Sequence, residues 1–313
     1  MSLPCRLPGA ILLAVLLMAS MPALAAEPPL AVSQFAPGVF VHQGRHEETT
    51  AANMGDIANA GFIVGERCVA VVDTGGSLEN GRRLRMAIRQ QTSLPVCYVI
   101  NTHVHPDHLF GNAAFKQDAP VFIGHQHLPA ALLARQDHYR KSMARSIGEQ
   151  AAAASEPVPP TQTVSADTTL DLGGRVLSLH AWPTAHTDTD LTVLDQATGT
   201  LWMGDLLFEQ RVPSLDGSLK GWLSVMDQLR ALPARLVIPG HGAPTTDWPG
   251  AMRDQERYLQ ALLRDVRQAL REKQTLSQAV SSAALDERSK WQLFDDYHAR
   301  NVTTAYTELE WEN

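Results

Sequence analysis

Cysteine is scarce: three residues in a chain of 313, too few for a disulfide scaffold or a zinc site of four thiolates. Basic blocks are missing too. The chain has 26 Lys and Arg against 33 Asp and Glu, a formal net charge of −7. Phosphate backbones are bound by clustered cations, so nucleic acid is excluded as a partner. There is no internal repeat. The one marked apolar run at the N-terminus, Ala10 to Ala19, is too short to hold a chain across a bilayer. Arg6 precedes it and Ala23-Leu24-Ala25 follows, so residues 1–25 read as a signal peptide cut near Ala25. Cys5 lies upstream of that run and not at the cut, which argues against lipid attachment. The expectation is export, in a bacterium to the periplasm, with no membrane association after cleavage.

What remains is long enough for one large α/β domain or two small ones. Short apolar runs such as Ala60–Gly65 and Cys68–Asp73 read as strands of a hairpin. Ser77–Gln91 predicts a helix, and Arg45–Asn59 a mobile polar loop. Leu128–Gly148 predicts a second helix, and the proline-bearing stretch Ala151–Thr163 a linker within the domain. Strands then recur at Thr168–Leu172, Val176–His180, Thr192–Leu194, Leu201–Met203 and Leu236–Ile238. Leu259, Leu262, Leu263, Val266 and Leu270 mark an amphipathic helix over Ala251–Lys273. The order strands-helix occurs twice, which predicts two half-layers packed sheet to sheet with helices outside. The expected division is a catalytic domain over residues 26–250 and a helical extension over 251–313 packed on it. Cys68 and Cys97 could pair in an oxidising compartment or remain two buried thiols.

The chemistry concentrates in Tyr98-Val-Ile-Asn-Thr-His-Val-His-Pro-Asp-His108. An apolar run ends in four potential metal ligands within six residues. His103 and His105 are two apart, so in extended backbone both would face one ion. Pro106 should stop the strand and turn the chain. Asp107 and His108 would then reach a second ion. Imidazole and carboxylate without thiolate suit a hydrolytic zinc site better than iron or manganese. His186, Asp205 and His241 each follow a strand-like run and fit the same site, glycine beside Asp205 and His241 allowing close approach.

His-Val-His-Pro-Asp-His, with Asp73, His186, Asp205 and His241 in this order, resembles the metallo-β-lactamase superfamily. The resemblance implies an αββα sandwich, an α/β fold of two mixed sheets with outer helices and a metal site at one edge. It implies two Zn²⁺: His103, His105 and His186 on the first, Asp107, His108 and His241 on the second, Asp205 bridging, and Asp73 steadying the ligand loop. Such a pair generates hydroxide near neutral pH to attack a carbonyl, with Asp107 as ligand or proton relay. The bridging aspartate favours a thioester, ester or amide substrate over class B β-lactamase activity. Val41-His-Gln-Gly44, Asp73-Thr-Gly-Gly76, Arg211 with Trp222, and Tyr306-Thr-Glu-Leu-Glu-Trp-Glu312 further resemble exported SoxH-like, or quinoprotein-relay, zinc hydrolases. That likeness implies a small-molecule substrate and a link to periplasmic sulfur or quinoprotein oxidation. Two competing readings are an iron persulfide dioxygenase using His103, His186 and Asp205, and a non-enzymatic periplasmic accessory protein.

Three further groups carry expectations. Arg211, Asp216 and Lys220 follow Asp205, and Arg211 or Lys220 could grip a substrate carboxylate. His125 and His127 have no further ligand nearby and read as structural. Trp222 reads as core and His42 as surface at the pocket entrance.

Overall fold

The computed structural model describes residues 27–312, so the signal-peptide reading of residues 1–25 lies outside the described residues. Among the described residues, no helix is long and apolar enough to cross a membrane. The chain opens with β1 (Ser33–Ala36), β2 (Val39–His42), β3 (Ala60–Val64) and β4 (Val69–Val72). Helix α1 (Leu78–Gln91), β5 (Val96–Ile100), α2 (Pro106–Leu109) and β6 (Val121–His125) follow. Next come α3 (Leu128–Ile147), α4 (Glu149–Ala154) and β7 (Gln162–Val164). These strands form a seven-stranded sheet in chain order, antiparallel from β1 to β4 and parallel from β4 to β7.

The second sheet has five strands: β8 (Asp167–Asp171), β9 (Val176–Ala181), β10 (Leu191–Asp195), β11 (Thr200–Phe208) and β12 (Leu236–His241). Its order is β12-β11-β10-β9-β8, with β11 and β12 parallel. Helix α5 (Leu219–Leu229) crosses between those two. Helices α6 (Met252–Arg271), α7 (Leu276–Val280) and α8 (Phe294–Leu309) complete the chain.

Alternation along the strands assigns the layers. In β4, Ala70 and Val72 face the second sheet with Ile100, Leu179, Val193 and Trp202, while Val69 and Val71 face outward onto Leu84 and Ile88 of α1. Outside the second sheet, Leu201 and Met203 pack with Trp222 of α5, Leu259 of α6 and Val302 of α8. The result is helix, sheet, sheet, helix, the expected αββα sandwich, with α6 and α8 sharing the core of α5. Helix α1 starts where Ser77 Oγ accepts from Asn80 N, a cap that satisfies an otherwise free donor.

Several expectations are corrected. β5 ends at Ile100, so His103 and His105 sit on an irregular loop, not on extended strand, and Pro106 opens α2 instead of ending β5. Proline suits a first helical position because its missing N–H has no helical partner there. The stretch 151–163 is not all linker: α4 runs to Ala154 and β7 adds an edge strand from Gln162. The segment 45–59 is fastened: Asn59 donates to Pro239 O and Gly242 O, both at 2.8 Å, and His42 Nε2 lies 2.6 Å from Asp56 Oδ1. His42 is thus buried and structural, not surface. Cys68, just before β4, and Cys97 of β5, with Cα atoms 5.8 Å apart, form a disulfide.

Candidate metal centre

The predicted ligands are delivered to one edge of the two sheets by strand ends, the loops after them, the short helix α2 and the interior of β11. β5 leads to His103, His105, Asp107 and His108; β9 leads to His186; β11 contains Asp205; β12 ends on His241. The ligand atoms of His103, His105, His186 and Asp205 lie within 4.8 Å of one another, as do those of Asp107, His108 and His241. All seven predicted side chains therefore meet in the predicted two groups. Asp205 spans them: its Oδ2 is 3.4 Å from both His186 Nε2 and His241 Nε2, and its Oδ1 is 3.1 Å from His108 Nε2. A Cβ on Gly240 would fall 1.9 Å from Asp205 Oδ1, so only glycine lets β12 pass this carboxylate.

Each imidazole is oriented by the nitrogen that faces away from the centre. His108 Nδ1 donates to Asp73 Oδ2 at 2.8 Å, His186 Nδ1 to Ser214 O at 2.6 Å, and His241 Nδ1 to Ile57 O at 2.7 Å. His105 is reversed: its Nε2 donates to Asp216 Oδ2 at 3.1 Å, turning Nδ1 inward. His103 Nδ1 lies 3.1 Å from Thr102 Oγ1. A proton held on the outer nitrogen leaves the inner one with a free lone pair, the tautomer a metal requires. Asp73 also accepts from Thr102 N at 2.9 Å and Thr102 Oγ1 at 2.7 Å, fixing the start of the ligand loop.

The inward nitrogens converge as the ligands of one cation would. His105 Nδ1 lies 3.1 Å from His103 Nε2 and 3.0 Å from His186 Nε2. Three acceptor lone pairs cannot satisfy one another. Buried His108 Nε2 and Asp205 Oδ1 lack a hydrogen bond despite their proximity. Burial, with His108 and other imidazoles nearby, holds His103 well below its ordinary pKa, and burial lowers His186 to about 3. Both are therefore neutral ligands at physiological pH. Burial works against a charge on His108 too, but Asp205, Asp73 and Asp107 outweigh it and raise its pKa. Burial likewise opposes ionisation of Asp205, which the surrounding imidazoles, His241 first, reverse. The neutral imidazoles of His103 and His186 beside an ionised Asp205 are a donor set for a divalent cation.

The centre forms the floor of a cavity of about 460 Å³ walled by the 45–59 segment, α3 and α8. Arg211 lines it but is buried, donating to Tyr297 Oη at 2.5 Å, with its Nη1 3.1 Å from His241 Nδ1. Lys220 does not line the cavity; it pairs with Glu312 at 2.7 Å. His125 and His127 stay outside both ligand groups, His125 Nδ1 accepting from His127 N. Trp222 is core. Sequence reasoning did not find the orienting roles of Asp216, Ser214 O and Ile57 O, nor the contributions of Tyr297 and Arg300. A carbonyl oxygen leaves no sequence signal, and the last two lie on a helix far along the chain.

Comparison with known proteins agrees with this arrangement. Residues 54–241 match the model of the Metallo-beta-lactamase superfamily. The chain is 27% identical over 213 residues to a linear primary-alkylsulfatase of Pseudomonas sp. (strain ATCC 19151), a match covering 56% of this chain and 40% of that enzyme. The chain thus spans less than half the length of that relative. Among solved structures, the inverting sec-alkylsulfatase Pisa1 from Pseudomonas sp. superposes with a TM-score of 0.68 at 16% identity, covering 89% of this chain and 50% of that one. A metallo-beta-lactamase from Pontibacter korlensis gives a TM-score of 0.59 at 20% identity, covering 74% and 99%.

Proposed function

Because the chain belongs to the metallo-beta-lactamase superfamily, we propose that it is an exported hydrolase cleaving a thioester, ester or amide-type bond at a pair of zinc ions. The observation that carries the reading is the set of inward ligand atoms in two groups, each imidazole locked in the metal-binding tautomer from behind. His103, His105 and His186 would hold one ion, Asp107, His108 and His241 the other, with Asp205 between them. Bound there, zinc supplies a Lewis acid and lowers the pKa of a shared water toward neutrality. The protein's own groups do the rest. Asp107, ionised and lining the cavity, can hold or relay a proton beside the reacting group. Asp73 and Asp216 keep His108 and His105 from rotating. The disulfide Cys68–Cys97 suits an oxidising compartment and so supports export. The finer likeness to SoxH-like proteins, and the link to sulfur or quinoprotein oxidation, rest on the quoted motifs alone.

A second reading, hydrolysis of an alkyl sulfate ester on the same residues, is favoured by the identity to the primary alkylsulfatase. A panel of thioesters, carboxylic esters, β-lactams and alkyl sulfates, assayed with zinc-loaded protein, separates the readings. Turnover of a carbonyl substrate with no release of sulfate supports the first. Sulfate release alone replaces it with the second. One iron per chain with oxygen uptake on a persulfide ends both.

A further inference from the structure

The cavity over the metal centre carries an excess of guanidinium that the ligands do not need. Arg135 of α3, Arg211 after β11 and Arg300 of α8 all line it, and among the described residues the only lining carboxylates outside the ligand set are Glu48 and Asp216. No lysine lines it. Arg211 is 3% exposed and its Nε has no partner; the nearest carboxylate oxygen, of Glu48, is 4.0 Å away. Once cations neutralise the ligand carboxylates Asp107 and Asp205, a buried guanidinium this far from its nearest carboxylate adds positive potential to the cavity. Arg135 also lacks a close partner, its guanidinium standing 3.7 Å from Asp188 and 3.9 Å from Asp216. Arg300 reaches Asp216 at 2.7 Å, and the other oxygen of that carboxylate accepts from His105. One carboxylate therefore serves a ligand histidine and two arginines, leaving both guanidinium groups donors to spare.

We infer that Arg135 and Arg300 form an oxyanion subsite beside the first metal position, so that the substrate carries a second, non-reacting anionic group such as a carboxylate. This rests on the hydrolase reading and narrows its substrate class. The two arginines project from different elements, α3 and α8, toward different oxygens of Asp216. Asp216 ties them within one carboxylate and one imidazole of the metal-facing Nδ1 of His105. That places the subsite one short spacer away from the reacting group. Planar guanidinium forks match carboxylate geometry, and Arg135, its side chain 30% exposed, is partly enclosed while Arg300 reaches in from the exposed rim. The apolar part of the wall, Ile57, Ala134, Met143 and Phe208 with the rings of Pro106, Tyr139 and Tyr297, is interleaved with charged and polar side chains.

Two measurements on the full mature chain test this. In the first, glutarate and its monoacid counterpart valerate are titrated calorimetrically into zinc-loaded protein and into R135Q/R300Q. The expected result is at least tenfold tighter binding of glutarate, an advantage lost in R135Q/R300Q and largely kept in R135K/R300K. Equal binding of the two acids, or an undiminished advantage in a folded R135Q/R300Q that still holds its metal, overturns the subsite. In the second, kcat/KM for 4-nitrophenyl hemiglutarate is divided by that for 4-nitrophenyl valerate. The ratio should exceed ten and fall at least tenfold in R135Q/R300Q. Turnover of both esters with a ratio near one refutes the subsite and leaves the hydrolase reading standing. Glutarate preference with no turnover of any ester, thioester or amide upholds the subsite and refutes the hydrolase reading.

Discussion

Replacing Asp73 by asparagine should unseat one metal without unfolding the protein. Asp73 is buried at φ 55°, in the left-handed region that asparagine also tolerates. Its two oxygens accept from Thr102 N, Thr102 Oγ1 and His108 Nδ1. Asparagine has one acceptor and one donor end. With its oxygen kept on Thr102 N, its amide N–H₂ faces His108 Nδ1, and two donors meet. His108 then relieves the clash by moving its proton to Nε2, the nitrogen that faces Asp205. A protonated Nε2 has no lone pair to give a metal. Flipping the amide merely moves the donor clash to Thr102 N. Loss of an orienting carboxylate behind a ligand histidine costs about 10–100-fold in metal affinity, or roughly 1.4–2.7 kcal/mol. The expected outcome is that loss at the position of Asp107, His108 and His241, and little change at the other. Competition with a chelator, read by zinc per chain, measures it. Wild-type affinity at both positions in D73N would refute the tautomer argument.

Four other outcomes follow from the same geometry. H103A should lose metal at the first position and all hydrolytic activity while its far-ultraviolet circular dichroism is retained; persistent activity would contradict the ligand assignment. N301A should destabilise by roughly 2–4 kcal/mol in urea, because Asn301 accepts from Leu215 N and donates to Pro213 O and Tyr258 Oη in the core, leaving buried partners unmet. It should also weaken metal binding, since the same 213–215 stretch supplies Ser214 O to His186. Asp118, hydrogen-bonded to Arg85 and beside Arg89, is held below its ordinary carboxyl pKa chiefly by the Arg85 bonds. Its stabilisation is present above the unfolded pKa of about 3.9 and is lost as pH falls through the lower folded value. D118N should therefore cost about 1–3 kcal/mol at pH 7, a gap that narrows below about pH 4 in urea melts. Removing Cys68–Cys97, a link across a separation of 29, should cost about 3–4 kcal/mol by the chain-entropy account; an unchanged urea midpoint in C68S/C97S would contradict it.

The sequence made the sandwich and the seven ligands readable because both leave periodic or chemically unusual marks. Val69–Val72 is a continuous apolar run because it is covered on both faces, by α1 and by the second sheet. Three histidines and an aspartate within six residues have no ordinary packing role. What escaped notice depends on long-range closure. Gln162–Val164 is a strand only because β6 offers it an edge to pair with. His105 faces the centre through Nδ1 only because Asp216, well over a hundred residues later, takes Nε2. Lys220 looked like a substrate contact from its place after Asp205, but α5 carries it to Glu312 on the outer layer. Arg300 sits in a tail that read only as helix, yet α8 folds back over the cavity.

The central claim is that the seven side chains hold two cations. Anomalous scattering at the zinc edge, from crystals of zinc-loaded protein, tests it most directly. Two peaks are predicted, about 3.5–4 Å apart, one against His103, His105 and His186, the other against Asp107, His108 and His241, with Asp205 between. A single peak, or a second one lying away from Asp107 and His241 under saturating zinc, would contradict the account.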